Sequence, residues 1–455
     1  MIKNNRMKPI HLIPLSFLAV IIIGAVLLTM PFSSANGEWT DFVTALFTST
    51  TSVCVTGLVV VDTFAHWSFF GQLIIVLLIQ IGGLGVVTVG AIVMHLAKKK
   101  FTLGHRVLLE DSLNLDRRRE VGSFIVRVVA GVFAVEEIGA LIYAIEFIPR
   151  LGFFKGIWAA IFQSVSAFCN AGMDVVGPNS MIDFNDSPIL MIVTMVLIVV
   201  GGIGFVVWYD IIDGIREGIK KRFSVKTIVR RFSEHSKLVV LLTLSLILIG
   251  AAIFFFVEYD NPNTLGEMDL GDKILNSFFQ SVTLRTAGFV SVPQDGLTDI
   301  SCVVGCILMF IGGSPVGTAG GVKTVTAFLF FLNAYSYVVG KPENVIFKKR
   351  VSEEGMRKAS AIVFVNMSIA LVMTLLVLLS GEIPLTDALY EVFSAIGTVG
   401  VSRGLTPNLN VFARLVIILT MYLGRVGPIS MAIFFSKGND TSNKIRHGEG
   451  NFYVG

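Results

Sequence analysis

Hydrophobic residues along this chain are grouped in long stretches that are separated by shorter, more polar connections. A segment that crosses the hydrocarbon core of a bilayer needs about 20 mostly apolar residues. Eight stretches approach or exceed that length, and we therefore predict eight transmembrane helices. The stretches are Ile10–Met30, Phe69–Leu96, Phe124–Ile148, Ile189–Ile212, Leu238–Val257, Val303–Phe331, Ala359–Leu379 and Val411–Phe435.

The first stretch has two interpretations. Lys3, Arg6 and Lys8 precede it and Ser33-Ser34-Ala35 follows it, as in a secretory signal peptide. Its apolar run is longer than the roughly 7–15 residues of a signal-peptide core. We therefore predict that it is retained as a helix.

Most of the 36 Lys and Arg residues lie in alternate connections between these stretches. Cytoplasmic connections of membrane proteins carry an excess of Lys and Arg. We therefore predict a multi-pass protein of the cell (plasma) membrane with both termini in the cytoplasm. The richest runs are Lys98–Lys100, Arg117–Arg119, Lys220–Arg222, Lys348–Arg350 and Lys444–Arg446.

Composition excludes several classes of protein. Of 455 residues, 54% are hydrophobic and 15% are charged, and the mean hydropathy is +0.77; an average soluble domain has about 25% charged residues. A soluble enzyme, a disordered chain and a nucleic-acid-binding protein are thus disfavoured. The four Cys form no disulfide framework and no metal site with the few His residues. We predict no metal and no cofactor bound by this chain.

A fourfold repeat sets the predicted architecture. Each non-cytoplasmic connection holds a short helical stretch that ends in Gly and is too short to cross the bilayer, and a second Gly-rich element follows 24 to 29 residues later. We predict re-entrant pore helices followed by extended strands. The first elements are Phe42–Gly57, Ile161–Gly172, Phe278–Gly288 and Val392–Gly400. The second are Ile81–Gly85, Val200–Gly204, Ile311–Gly317 and Leu423–Gly427.

The predicted fold is therefore an all-α integral membrane protein of four parallel units around one pseudo-fourfold pore. Each unit consists of an outer helix, a pore loop and an inner helix. The units span residues 1–105, 106–222, 223–345 and 346–455, and the last includes a short cytoplasmic C-terminal tail.

The strands after the pore helices are the candidate ion-binding site. Glycine permits positive φ, which lets neighbouring carbonyl groups turn toward an axis, and rings of carbonyl oxygens can replace a cation's hydration shell. No ring of acidic residues is present, although Asp62 and Asp174 either enrich cations at the outer mouth or are ordinary surface carboxylates. The candidate selectivity filter comprises Val55, Thr56, Gly57, Asn170, Ala171, Gly172, Thr286, Ala287, Gly288, Thr398, Val399 and Gly400.

Four motifs resemble the filters of the Ktr/Trk/HKT superfamily of potassium transporters, and most of all those of the membrane subunit of bacterial Ktr systems. They are Val55–Asp62, Ser166–Gly172, Arg285–Phe289 and Gly397–Gly400. The resemblance implies potassium as substrate, often with sodium dependence (symport), and a homodimer with one pore per protomer. It also implies a cytosolic ring of nucleotide-binding regulatory subunits of the RCK/KTN type.

The third inner helix carries a candidate gate. Five Gly and one Pro within Gly312–Gly321 disfavour a regular helix, and in the resembling family this segment is the gate below the filter. Arg425 replaces the second Gly of the motif in the fourth inner helix, and a charged residue at membrane depth is functional by default. The candidate gate comprises Gly312, Gly313, Ser314, Pro315, Gly317, Thr318, Gly320, Gly321, Lys323 and Arg425.

Other classes of function remain as alternatives to a channel-like uptake subunit. An alternating-access secondary cation transporter would favour inverted repeats and paired acids near the midplane. A membrane scaffold or receptor would leave the Gly-rich strands without a purpose. An enzyme is disfavoured because the His residues form no constellation with Cys or acidic residues.

Overall fold

The computed structural model describes residues 9–86 and 121–427. Several predictions lie outside these ranges: the basic runs Lys98–Lys100 and Arg117–Arg119, the boundary between residues 105 and 106, and the C-terminal tail beyond residue 427.

The described residues are mainly helical, and one hairpin of two short strands, Val345–Ile346 and Lys349–Arg350, joins two of the helices. In chain order the α-helices are α1 Pro9–Thr29, α2 Phe42–Cys54, α3 Thr63–His66, α4 Phe69–Leu84, α5 Val121–Leu151, α6 Phe153–Cys169, α7 Pro188–Gly202, α8 Phe205–Lys221, α9 Val225–Arg231, α10 Glu234–Glu258, α11 Leu270–Thr283, α12 Asp299–Phe310, α13 Thr324–Val338, α14 Glu353–Leu378, α15 Leu385–Gly397 and α16 Val411–Val426.

Three of these helices are long and apolar enough to cross a membrane. They are α10, α14 and the part of α5 from Phe124 to Leu151. Helices α7 and α8 together would provide a fourth span, although they are bent by 100°. Other predicted spans correspond, among the described residues, to apolar helices of 10–17 residues. The number eight therefore stays a prediction.

The prediction of one helix over 189–212 requires a correction. Helix α7 ends at Gly202 and α8 begins at Phe205, with Gly204 between them at φ +97°. A Cβ on Gly204 would lie 2.5 Å from the Pro315 carbonyl oxygen. Hydropathy did not reveal the bend because apolar residues occupy both sides of it.

Helices also end at the other inner-helix motifs. Helices α4 and α16 end before Gly85 (φ +84°) and Gly427 (φ +86°) respectively. The stretch Val303–Phe331 is divided into α12 and α13 by a non-helical loop, as the Gly and Pro content of Gly312–Gly321 predicts.

Packing between the short helices closes a ring. Each of α2, α6, α11 and α15 packs against the long helix that precedes it. Helix α4 bridges α2 and α6, α7 bridges α6 and α11, and α12 packs on α15. Helix α16 then contacts both α15 and α2. The last part of the chain thus returns to the first.

A recurring contact fixes the short helices. In three of them a Ser hydroxyl donates a hydrogen bond to a carbonyl of the preceding long helix. The residue that supplies this carbonyl lies three positions before a Gly of the same helix. The pairs are Ser49 with Ile21, Ser164 with Glu136 and Ser281 with Ile247, at 2.7, 2.6 and 2.9 Å. A Cβ on that Gly would meet the Ser side chain closer than 3.0 Å. The contact therefore depends on small residues, as is common between membrane helices.

Candidate ion pathway

A residue in a left-handed conformation lies within three residues of the end of each of the short helices α2, α6, α11 and α15. The residues are Val55 (φ +56°), Asn170 (φ +61°), Thr286 (φ +72°) and Thr398 (φ +51°). Three of the four are β-branched, for which positive φ is unusual. Backbone strain of this kind is concentrated at functional sites, where the surrounding structure maintains it.

Two residues further along, the chain reaches the four predicted filter glycines, which also have positive φ. The values are +101° for Gly57, +66° for Gly172, +86° for Gly288 and +103° for Gly400. A Cβ on any of them would lie closer than 3.0 Å to a main-chain carbonyl oxygen of the next segment. The approaches run from Gly57 to Ala171, from Gly172 to Ala287, from Gly288 to Val399 and from Gly400 to Thr56. The segments therefore meet in chain order around a closed ring.

The four carbonyl oxygens of this ring have no hydrogen-bond donor. Thr56, Ala171, Ala287 and Val399 are fully buried, and their carbonyl groups accept no hydrogen bond from any residue in 9–86 or 121–427. Buried main-chain carbonyls are almost always paired, because leaving one unpaired costs free energy. Four orphaned oxygens at one level therefore indicate a site for a cation.

Hydroxyl groups of the short helices hold the strands in place. The N–H groups of Gly57 and Gly400 donate to Thr51 Oγ1 and Ser394 Oγ, at 2.9 and 3.0 Å. In the other two strands, the hydroxyls of Ser166 and Thr283 donate to the carbonyls of Met173 and Phe289. These bonds satisfy groups beside the ring and leave its four carbonyls free.

The loop between α12 and α13 lies directly against one end of this ring. Its ends are joined by hydrogen bonds from the Gly312 N–H to the Val322 carbonyl (2.9 Å) and from the Thr324 N–H to the Gly313 carbonyl (3.0 Å). The Thr318 hydroxyl lies 3.1 Å from Oδ1 of Asn170, a residue of the predicted filter.

Further contacts place the remaining predicted gate residues in or against the loop. Ser314 Oγ lies 3.2 Å from Thr324 Oγ1, and Lys323 Nζ donates to the Ala319 carbonyl at 2.6 Å. A Cβ on Gly312 or Gly320 would press on the filter residues Thr286 and Thr398, and one on Gly313, Gly317 or Gly321 would meet backbone or Ala319. The intervening Val316 has φ +61°, a conformation that a β-branched residue rarely adopts.

Arg425 joins three parts of the molecule. It is half-buried on α16, and its two terminal nitrogens donate to the carbonyl groups of Thr318 in the loop and Gly82 in α4. Arg425 thus contacts the loop with which the sequence analysis grouped it as a candidate gate residue. The contact with Gly82 was not predicted, because nothing local indicates which helix faces α16.

A cavity of about 370 Å³ lies on the opposite side of the ring and is lined by all four filter glycines. Both Asp62 and Asp174 contribute to its wall. Asp174 is only 9% exposed and accepts a hydrogen bond from the Ser180 hydroxyl at 2.6 Å. Burial, with the nearby charge of Asp62, raises the pKa of Asp174 to about 7. It is therefore not an ordinary surface carboxylate.

Comparisons with known proteins identify the class to which this fold and site belong. The TrkH family, described as cation transport proteins, matches residues 4–445. The chain is 36% identical to the potassium/sodium uptake protein NtpJ of Enterococcus hirae, over 99% of this chain and 98% of that protein. It is 35% identical to the Ktr system potassium uptake protein B of Bacillus subtilis, over 100% and 98% of the two chains.

The fold matches a solved structure. The crystal structure of the potassium transporter TrkH from Vibrio parahaemolyticus superimposes with a TM-score of 0.74, covering 96% of this chain and 86% of that one, at 15% identity. The chain belongs to the TrkH family of cation transport proteins. The resemblance to the Trk/Ktr family of potassium transporters is thereby confirmed, as are a helical membrane protein and a function other than that of an enzyme.

Proposed function

We propose that this chain is the potassium-translocating membrane subunit of a Ktr-type uptake system. The observation that carries the proposal is the ring of four buried, unpaired carbonyl oxygens, from Thr56, Ala171, Ala287 and Val399. Carbonyl rings of this kind exchange for the hydration shell of a monovalent cation. The names of the Bacillus and Enterococcus relatives, both potassium uptake proteins, support potassium as the ion.

The proposed architecture is four parallel repeats around one pore, with eight spans and both termini in the cytoplasm. The order in which each filter glycine approaches the next segment supports this arrangement. In that orientation the 370 Å³ cavity is the outer mouth and the loop Gly312–Gly321 lies below the filter.

We propose that this loop is the gate and that Arg425 holds it closed. The guanidinium binds carbonyls on two sides of the path, and its positive charge repels a passing cation. At 4 Å and an effective dielectric of 20, two unit charges interact by about 4 kcal/mol. Opening therefore requires that the loop and Arg425 separate.

The proposed assembly is a homodimer with a cytosolic ring of nucleotide-binding subunits. A nucleotide-binding domain takes on the order of 100 residues, and no cytoplasmic connection of this chain approaches that length. Control by nucleotide would thus require a second chain. Sodium dependence is part of the proposal, and the name of the Enterococcus relative, a potassium/sodium uptake protein, supports it.

The test is uptake in cells that lack their own potassium uptake systems. Cells expressing this chain with its regulatory subunit should regain growth at low potassium and should accumulate rubidium, with sodium a weaker competitor than potassium. Purified protein alone should not change its flux on addition of ATP. Uptake that does not discriminate potassium from sodium would contradict the filter assignment.

A further inference from the structure

Helix α8 leaves the membrane-spanning part of the molecule at a right angle. It is bent by 100° from α7 at Gly204, and α9 folds back on it through contacts of Phe232 and Ile228 with Gly214 and Gly218. If α7 crosses the bilayer, as proposed above, α8 runs close to the plane of the cytoplasmic membrane surface.

One face of α8 is apolar along its whole length. Near the bend at Gly204, which we call the elbow, this face is buried at Phe205 and Trp208. Beyond the protein body it continues as Ile212 (49% exposed), Ile215 (44%) and Ile219 (72%). These residues are spaced three and four apart, so they share one side of the helix. An exposed apolar stripe in the plane of the membrane is typical of an interfacial helix.

The same pair of helices carries cations that have no acidic partner. Glu217 pairs with Lys221 and Arg231 at 2.5 and 3.3 Å. Five further exposed cations make no ion pair with any described residue. They are Arg216, Lys220, Arg222, Lys226 and Arg230. We call α8 and α9 with these residues the interfacial hairpin. Its charge complements the anionic headgroups of the cytoplasmic leaflet.

The elbow between α7 and α8, where the hairpin begins, is hydrogen-bonded to the gate loop. The N–H groups of Ser314 and Thr318 donate to the carbonyls of Gly202 and Gly201, at 2.9 and 3.2 Å. In return, the Phe205 N–H donates to the Val316 carbonyl at 2.9 Å. A change in the angle of α8 would therefore pull directly on the loop.

We propose that the interfacial hairpin binds anionic phospholipid of the cytoplasmic leaflet and thereby holds the gate loop in the conformation seen here. The membrane orientation and the gating role of the loop rest on the proposed function; the lipid contact itself rests on the stripe and the unpaired cations. A soluble regulatory protein is the rival occupant. The alignment of the stripe with the membrane plane favours lipid.

The binding test uses the full chain, reconstituted without partner in phosphatidylcholine with and without phosphatidylglycerol. A fluorophore at Val225→Cys, in a Cys306→Ala background, reports contact through quenching by brominated lipid. We expect brominated phosphatidylglycerol to be preferred by about fivefold for each cation that contacts a headgroup at low salt. The preference should weaken as salt is raised.

A charge-matched pair of variants localises the effect. The triple variant Arg222→Gln/Lys226→Gln/Arg230→Gln should abolish the preference for phosphatidylglycerol. The control Lys348→Gln/Arg357→Gln/Lys358→Gln removes three exposed cations elsewhere on the predicted cytoplasmic face and should retain it. Equal preference in both variants, or none in the parent, would overturn the lipid site. A label reached by neither brominated lipid would assign the surface to a soluble protein instead.

The coupling test measures potassium flux in the same vesicles. Phosphatidylglycerol should lower the flux of the parent severalfold, and the hairpin triple variant should be insensitive to it. Gly204→Ala, which disturbs the elbow, should keep the lipid preference at the label but lose the lipid effect on flux. Lipid preference with flux that is equal in both lipids would overturn the coupling to the gate. An intact lipid preference with no flux in any vesicle, including vesicles with Arg425→Ala, would count against the proposed transport function and leave the lipid site standing.

Discussion

The ring of unpaired carbonyl groups and the loop Gly312–Gly321 lie in contact but differ in symmetry. At the ring, the four segments use the same elements: a left-handed residue, a middle residue with a free carbonyl, and a glycine. At the next level, a helix of three segments ends at or near a glycine, whereas the third segment inserts the loop Gly312–Gly321. The fourth contributes Arg425, which reaches across to that loop.

This difference matches two physical tasks. Coordination of a symmetric ion at the axis favours equivalent oxygens, so the segments are held alike there. A barrier that opens and closes needs one element that moves relative to the others. Four equivalent segments would not provide such an element. The predictions below test whether selectivity and rate separate in this way, in order of decreasing expected effect.

Replacing a filter glycine should abolish selectivity. Gly288→Ser places a Cβ against the Val399 carbonyl and strains a residue at φ +86°. Strain of about 1–3 kcal/mol corresponds to a loss of potassium preference on the order of 10–100-fold, measured as potassium over sodium uptake. The control is Gly404→Ser, which has φ +83° but nothing within 4 Å of its Cβ. Similar losses in both variants would contradict a special role for the ring.

Removing Arg425 should raise the rate and spare the affinity. Arg425→Ala removes two hydrogen bonds from a charged group, each worth about 1.5–3 kcal/mol, and we expect a maximal rate about tenfold higher with a nearly unchanged apparent potassium affinity. A deletion within Gly312–Gly321 should act in the same direction. The control is Arg414→Ala, on the same helix, because the Arg414 guanidinium donates to the Pro407 carbonyl and not to the loop. Transport is measured per folded protein; reduced yield without a gain in flux would make Arg425 a structural anchor.

Thr318→Val tests the point at which the two regions touch. The variant keeps the side-chain shape but removes the hydroxyl beside Asn170 Oδ1. The loss of about 1 kcal/mol from the closed state should increase the rate about fivefold. Thr324→Val should change the rate little, because within residues 9–86 and 121–427 its hydroxyl bonds only Ser314 at the base of the loop. A larger effect of Thr324→Val would place the hinge at the base instead.

External pH should have the smallest effect, through Asp174. Because its pKa is raised to about 7, the carboxyl is protonated below this pH and charged above it. The apparent potassium affinity should therefore be about threefold stronger one unit above pH 7 than one unit below, since the added charge concentrates cations in the cavity.

Two variants check this assignment. Asp174→Asn should remove the pH dependence. Asp62→Asn removes a negative charge that raises the pKa of Asp174, so the transition should move to lower pH. Asp186→Asn, at an exposed position outside the cavity lining, should leave the profile unchanged. A profile unaffected by Asp174→Asn would dissociate the pH effect from this carboxyl.

The sequence by itself predicted the features that depend on residues close together in the chain. Hydropathy and charge identified a helical membrane protein, because lipid requires long apolar helices. The positions of Gly57, Gly172, Gly288 and Gly400 were visible because positive φ demands glycine at each recurrence. The loop after α12 was predicted from its own Gly and Pro residues.

The tertiary structure alone decided which of these elements meet. A hydropathy profile reports how apolar each position is but not the path of the chain, so it could not show the 100° bend at Gly204. The glycine itself was part of the predicted motif Val200–Gly204. The contacts of Thr318 with Asn170 and of Arg425 with Gly82 join residues more than 100 positions apart, and no local preference encodes such a pairing. The raised pKa of Asp174 likewise arises from burial and from Asp62. These properties depend on distance in space, which only the packed ring of helices sets.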